Sequence, residues 1–325
     1  MQVHILDDWF DTLRTLPSFA RLSEHRVTVW NDYVENGDVL AERLAEAEAL
    51  VLFRERTPIS GDLLDRLPKL KLISQRSVFP HVDVLGCTRN GVLLCSNMHS
   101  DTPSIAAAEL TFALILAAAR QLPKQIASLK AGRWQAGVGQ TLSGRTLGLY
   151  GYGRIGKAVA GYARAFGMEI VWWGSDDGRA RARNDGETVA SSRRAFFAES
   201  DVVSLHVRLK PETRGLVTAA DLLAMRRSAI FVNTSRAALV EPGALEAALA
   251  AGRPGTIALD VFDAEPLNDP NDPIISHPRV IATPHIGYVT EDELDLQFAD
   301  IYDQINAYAK GRPIHMINPE VWQGG

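Results

Sequence analysis

The order of apolar runs in this 325-residue chain predicts an α/β protein made of two doubly wound parallel-sheet domains. Three observations lead there. Short apolar runs alternate with amphipathic stretches at helical spacing, the alternation pauses at one long apolar helix and then resumes, and the length exceeds what a single hydrophobic core usually holds.

In the first hundred residues, strands are predicted at 3–6, 27–30, 50–53, 71–74 and 92–95. Helices fit between them at 37–49, where Val39, Leu40, Leu44 and Ala47 share a face, and at 61–67, with Leu63, Leu64 and Leu67. A long apolar helix is predicted over 104–121, followed by a more polar segment. The second alternation places strands at 146–150, 169–173, 202–207, 229–233, 256–260 and 280–282, with helices at 155–166, 219–225 and 243–251. Strand, helix, strand units of this kind need a parallel sheet covered on both faces. A last helix, 291–310, lies beyond the final strand and is free to return to the first domain. The expected division is therefore 1–99 with 290–325, a discontinuous smaller domain, and 100–289.

Composition narrows the function. Hydrophobic residues make up 46% and the formal net charge is -5, so the chain is globular with no broad basic surface for nucleic acid or anionic lipid. The start lacks the basic, apolar and small-residue segments of a secretory signal, and the run 105–119 contains Glu109 and is too short to span a bilayer. Cys87 and Cys95 make neither a disulfide framework nor a metal-ligand pattern. No metal is expected, and the cytoplasm is the expected compartment.

Gly151, Gly153 and Gly156 form G-x-G-x-x-G between the predicted strand TLGLY and an amphipathic helix. The first glycine permits a tight turn, the second lets the backbone approach a pyrophosphate, and the third lets helix and strand pack closely. The helix amides then face the phosphates. This context predicts a Rossmann dinucleotide-binding domain. About 20 residues on, where a carboxylate would bind the ribose 2′-hydroxyl of NAD, the strand ends instead in Trp172, Trp173, Gly174 and Ser175. Asp176 and Asp177 follow, then Arg179, Arg181 and Arg183, which read equally as a phosphate grip or as a solvated charged face.

Four polar residues stand at the ends of later strands, where open parallel sheets bind ligands: Arg236, Asp260, Glu265 and His285. Singly, each has an ordinary surface or capping role. Together they suit reduction of a 2-oxo acid by NAD(P)H. Arg236 can hold a carboxylate bidentately, His285 can give a proton to the carbonyl oxygen, and Glu265 can orient the imidazole and stabilise its charged form.

The segments LGLYGYGRIGKAVA, DVVSLHVRLKPETRGLV, AIFVNTSRAALVE, ALDVFDAEPL and IATPHIG, in this order, make the chain resemble the D-isomer-specific 2-hydroxyacid dehydrogenase family over essentially its whole length. The resemblance implies a bilobed fold with a flavodoxin-like substrate domain, and a homodimer built on the cofactor domains. It implies a catalytic set of Arg236, Glu265 and His285. It adds Arg154, Ile155, Ser175, Val207, Thr213, Thr234, Asp260, His285 and Gly287 to the glycines as cofactor contacts. Arg54, Arg76, Ser77 and Val78 join Arg236 and His285 as substrate contacts, the three arginines forming a cationic rim. The chain departs from the family pattern in its substrate loop, Ser74, Gln75, Arg76, Ser77, Val78, Phe79 and Pro80, and at Ala237, Arg208 and Gly174. Gly174 and Ser175 favour NADP over NAD. Glyoxylate or hydroxypyruvate is the favoured kind of substrate; the alternatives are a formate- or phosphonate-type dehydrogenase and a dinucleotide-sensing corepressor-like protein. Trp134 reads either as packing at the dimer interface or as a contact to the partner subunit's substrate.

Overall fold

The computed structural model describes residues 1–98 and 105–324. The chain divides into two compact units, Met1–Pro103 with Val289–Gly325, and Ser104–Tyr288. The expected domain boundary at 99/100 and the expected helix start at 104 lie outside the described residues.

In the first unit, β1 (Gln2–Ile5), β2 (Arg26–Val29), β3 (Ala49–Val51), β4 (Leu72–Arg76) and β5 (Leu93–Asn97) form one sheet in the order β2-β1-β3-β4-β5. Every pairing is parallel. This is the flavodoxin-like order, so the loops after β1, β3 and β4 leave the same sheet edge side by side. Every residue of β3 and β4 is buried, as strands covered on both faces require. Helix Gly37–Leu44 is capped by the Asn36 side chain, which accepts from the Asp38 and Val39 amides. It ends five residues before the predicted end, because Ala45 and Ala47 turn the chain back into β3. Leu44 and Ala47 are both fully buried, so their apolar spacing ran on through a turn. The long helix Glu291–Ala309 belongs to this unit and buries Leu294, Phe298, Ile301, Tyr302 and Ile305. Its Phe298 ring lies 5.0 Å from that of Phe53.

In the second unit, β6 (Thr146–Tyr150), β7 (Glu169–Trp173), β8 (Val202–Leu205), β9 (Ile230–Asn233), β10 (Thr256–Leu259) and β11 (Val280–Ala282) form a parallel sheet in the order β11-β10-β9-β8-β6-β7. Side chains alternate between two cores. Leu147 and Leu149 pack on one face with Ile230 and Val232, while Tyr150 and Phe231 pack on the other with Phe196 and Phe197. The winding reverses where β6 lies between β7 and β8, and a crevice at the carboxyl ends of these strands is the ligand position of such folds. Both sheets agree with the fold class read from the sequence.

Several helices had no counterpart in that reading. Leu122–Lys130 does carry a helical apolar row, but its polar surroundings obscured it, and Asp176–Asn184 is polar nearly throughout and therefore shows no period. Among the described residues, no helix is long and apolar enough to cross a membrane.

Candidate active site

The glycine turn links β6 to helix Arg154–Ala165. Gly151 has φ 111°, and a Cβ placed there would meet the His206 carbonyl oxygen at 2.3 Å, so no side chain fits. A Cβ on Gly156 would lie 2.8 Å from the Gly151 carbonyl, which is the close helix-to-turn packing expected of the third glycine. Gly153 faces open space, with nothing within 4 Å of such a Cβ. It is also the helix cap, and no side chain bonds the first amides. An open backbone beside an uncapped helix N-terminus fits a pyrophosphate.

At the end of β7, Gly174 has φ 154°, a conformation that side-chain-bearing residues rarely adopt. Ser175 caps helix Asp176–Asn184 by accepting from the Gly178 amide. Arg179 lies 4.2 Å over the Trp173 ring, donates to the Gly174 carbonyl and pairs with Asp176. The arginine run is therefore helical, with Arg179 folded back over the strand end.

The polar residues of the later strands gather at adjacent ends of β9, β10 and β11. Asn233 closes β9, and its buried side chain bonds the Arg236 carbonyl and the Ser235 amide, shaping the turn that presents Arg236. Thr234 is 2.7 Å from Thr111 on helix Ala106–Ala119. Beyond β10, Asp260 is fully buried and accepts from the Thr283 hydroxyl and the amides of Ile286 and Gly287. Burial pushes its carboxyl up, against the pull of these bonds and of the His285 charge.

His285 stands inside the segment that Asp260 binds, with φ 52°. Its Nδ1 is 2.6 Å from Glu265 Oε2, and Glu265 Oε1 accepts from the Phe262 amide. Burial would raise the Glu265 carboxyl. The His285 hydrogen bond and charge, the Phe262 amide and the Arg236 charge outweigh it and hold Glu265 below the usual range. A base oriented by a carboxylate, with a cation acting on the same carboxylate, can hold an anion and move a proton.

The other expected cofactor contacts follow strands of this same sheet. Val207 lies just past β8, and Thr213 ends the 3-10 turn Pro211–Thr213, its hydroxyl bonded to the carbonyls of Arg208 and Lys210. Arg154 is exposed, and Ile155 packs against the core.

In the first unit, Arg54 follows β3 with φ 60°, and Ser77 follows β4 with φ 76°. Arg76 differs from the open cation expected of it. It is buried on β4, with Nε 3.2 Å from Asp300, so its charge is already matched by helix Glu291–Ala309. Asn233 was not singled out in the sequence, and Gln75 was named only as one residue of an atypical substrate loop, whereas Ser74, Gln75 and Arg76 are buried on β4; a buried amide inside an apolar strand carries no periodic signal, and the clue was a polar residue at a strand's carboxyl end. Among the described residues, no group of three His, Cys, Asp or Glu is placed to hold a metal.

The model of the family described as D-isomer specific 2-hydroxyacid dehydrogenase, NAD binding domain, matches residues 112–287. A glyoxylate reductase of Aeropyrum pernix is 36% identical, covering 91% of this chain and 90% of that protein. A hydroxypyruvate reductase of Thermotoga maritima is 32% identical, covering 83% of this chain and 87% of its own length. The crystal structure of a phosphoglycerate oxidoreductase from Vibrio cholerae superposes with a TM-score of 0.90 at 46% identity, over 95% of this chain and 99% of that one.

Proposed function

Because the chain belongs to the D-isomer-specific 2-hydroxyacid dehydrogenase family, an oxidoreductase family with a nicotinamide dinucleotide cofactor, we propose that it interconverts a small 2-oxo acid and its D-2-hydroxy acid, with Arg236, Glu265 and His285 as its catalytic set. The observation that carries this is the 2.6 Å contact of His285 with Glu265, under the Arg236 charge, on the sheet that also bears the open glycine turn.

The unit Ser104–Tyr288 is the cofactor domain in this reading. Gly151, Gly153, Gly156, Arg154 and Ile155 take the pyrophosphate end, Ser175 the ribose, and Val207, Thr213, Thr234, Asp260, His285 and Gly287 the remainder. Bound there, the nicotinamide supplies or accepts the hydride. In reduction, His285, whose Nδ1 is engaged by Glu265, would give its Nε2 proton to the substrate carbonyl oxygen. Glu265 keeps the imidazole oriented and favours its protonated form, and Arg236 holds the substrate carboxylate.

The unit Met1–Pro103 with Val289–Gly325 is the substrate domain. Ser77 and Val78 offer backbone contacts to the acid, and Arg54 a cation, while Arg76 acts through Asp300 as a strut. Glyoxylate and hydroxypyruvate are the proposed substrates, supported by the names of the Aeropyrum and Thermotoga relatives. NADPH is proposed over NADH, because Gly174 lacks a carboxylate in a conformation unfavourable for one and Arg179 lies beside it.

A homodimer is supported by the exposed row Leu122, Ile126 and Leu129 and by Trp134 and Val138 beyond it, the last 90% exposed in the single chain. A panel of 2-oxo acids and formate, run with NADPH and NADH, tests the assignment. Turnover of formate with every 2-oxo acid inert sinks it.

A further inference from the structure

Gln75 is the fourth residue of β4 and 1% exposed. Its Nε2 donates to the carbonyls of Ser77 (3.1 Å) and Val78 (3.3 Å) and to Ser96 Oγ (2.9 Å). Ser96, buried on β5, donates its own hydroxyl to the Ser77 carbonyl at 2.6 Å. In a trans peptide the carbonyl and the following N–H point in opposite directions. Holding the Ser77 and Val78 carbonyls against Gln75 therefore turns the Val78 and Phe79 amides away from it. Neither amide has a hydrogen-bond partner among the described residues. Two successive N–H groups turned the same way, after a residue in the left-handed region, make a concavity for an anion.

The arrangement has a cost. Gln75 Oε1 is buried without a partner. Turning the side-chain amide over would set that oxygen against two carbonyl oxygens, so the loop dictates the orientation. An apolar residue would avoid the unsatisfied acceptor but leave the loop carbonyls unheld. Behind Gln75 the strand is fixed by three successive residues: Ser74 donates to the Ile301 carbonyl, Gln304 donates to the Gln75 carbonyl, and Arg76 pairs with Asp300. The clamp thus works from an anchored strand end.

We propose that Gln75, with Ser96, is a positioning residue for substrate: it presents the Val78 and Phe79 amides to the carboxylate of the 2-oxo acid without touching the acid itself. This rests on reading the loop as a substrate contact.

The test uses the full-length protein and compares wild type, Gln75→Met, Ser96→Ala and Arg236→Gln with glyoxylate and hydroxypyruvate. Gln75→Met keeps the length and removes the donor. The KM for the oxo acid should rise roughly tenfold, with kcat within about twofold, and cofactor affinity measured by nicotinamide fluorescence should not move. Ser96→Ala should raise KM in the same direction by less, which carries the test if Gln75→Met does not fold. An unchanged KM in a folded Gln75→Met, or an unchanged KM in Ser96→Ala when that is the variant available, overturns the clamp. Loss of cofactor affinity and kcat together with KM also overturns it, since that marks general damage. If Arg236→Gln abolishes turnover while the clamp variants change nothing, only the clamp fails. If Arg236→Gln leaves turnover and KM intact, the underlying reading of the site fails.

Discussion

Asp260 Oδ2 lies 2.9 Å from the Gly287 amide, and Asp260 Oδ1 takes the Thr283 hydroxyl and the Ile286 amide, so one buried carboxylate binds the chain on both sides of His285. A histidine at φ 52° is strained unless its surroundings over-determine it, and these three bonds do so. Asp260→Asn replaces one acceptor oxygen by a donor facing N–H groups. The expected result is a fall in kcat/KM of about 100-fold through misplacement of His285. Retained activity in a variant with an unchanged Tm would show that the loop holds its shape without the carboxylate.

The end of β7 makes a separate prediction about the cofactor. Asp176 pairs with Arg179, whose guanidinium also reaches the Gly174 carbonyl. Asp176→Asn should leave Arg179 to a 2′-phosphate and raise the ratio of kcat/KM for NADPH over NADH by about fivefold. A fall in that ratio would mean that the phosphate is not bound there and that Asp176 or Asp177 serves the ribose hydroxyl.

Both sheets were legible in the sequence because their strands are short apolar runs between amphipathic segments, and Thr146–Tyr150, Glu169–Trp173 and Val280–Ala282 have the predicted bounds. The glycine turn and the ends of β9, β10 and β11 were legible because glycine and charge interrupt those runs. What stayed hidden depends on contacts distant in sequence. The pairing of Arg76 with Asp300 spans most of the chain, and nothing near Arg76 distinguishes a buried cation from an open one. Gln75 and Asn233 act through turns whose geometry no local pattern encodes.

Asp7 gives a stability prediction in the first unit. It is 2% exposed, and burial pushes its carboxyl up to about 6 despite the Thr57 hydrogen bond and the Arg56 charge. The folded state therefore holds this proton more tightly than the unfolded state. The associated stability is fully present below the unfolded value near 3.8 and is lost as pH rises through about 6. Above that, ionised Asp7 costs roughly 3 kcal/mol. Asp7→Asn keeps an oxygen for Thr57 and tolerates the φ of 63°. It should raise Tm more at pH 8 than at pH 4.5, and an equal shift at both would remove the titration argument.

Trp134, 77% exposed in the single chain, stands near Leu129 and Val138, themselves exposed. Packing between two copies is the proposed role. Trp134→Ala should then weaken the dimer by about 2 kcal/mol, seen in sedimentation velocity as dissociation at low concentration. An intact dimer with a raised KM for the oxo acid would instead place Trp134 on the partner subunit's substrate.

The pair of His285 and Glu265 makes the sharpest claim about mechanism. Reduction needs the imidazole protonated, and oxidation of the hydroxy acid needs it neutral, so the two directions must have opposite pH limbs. Glu265 is held below the ordinary carboxylate range, with burial opposed by the His285 hydrogen bond and charge, the Phe262 amide and Arg236. For a depressed carboxyl, the pairing is present above the unfolded value and is lost as pH falls through the lower folded one. Glu265 therefore stays ionised near neutral pH. Glu265→Gln keeps the shape and removes the charge, so the limb for reduction should move to lower pH and reduction near neutrality should fall. Oxidation should persist to lower pH, with a reduced maximum because the ring is held less well. His285→Ala should depress both directions by at least 100-fold. The measurement is kcat/KM against pH in both directions, with cofactor saturating and a substrate isotope effect showing hydride transfer to be rate-limiting. If neither limb moves in Glu265→Gln under those conditions, the carboxylate does not govern the proton on His285, and its 2.6 Å contact is only structural.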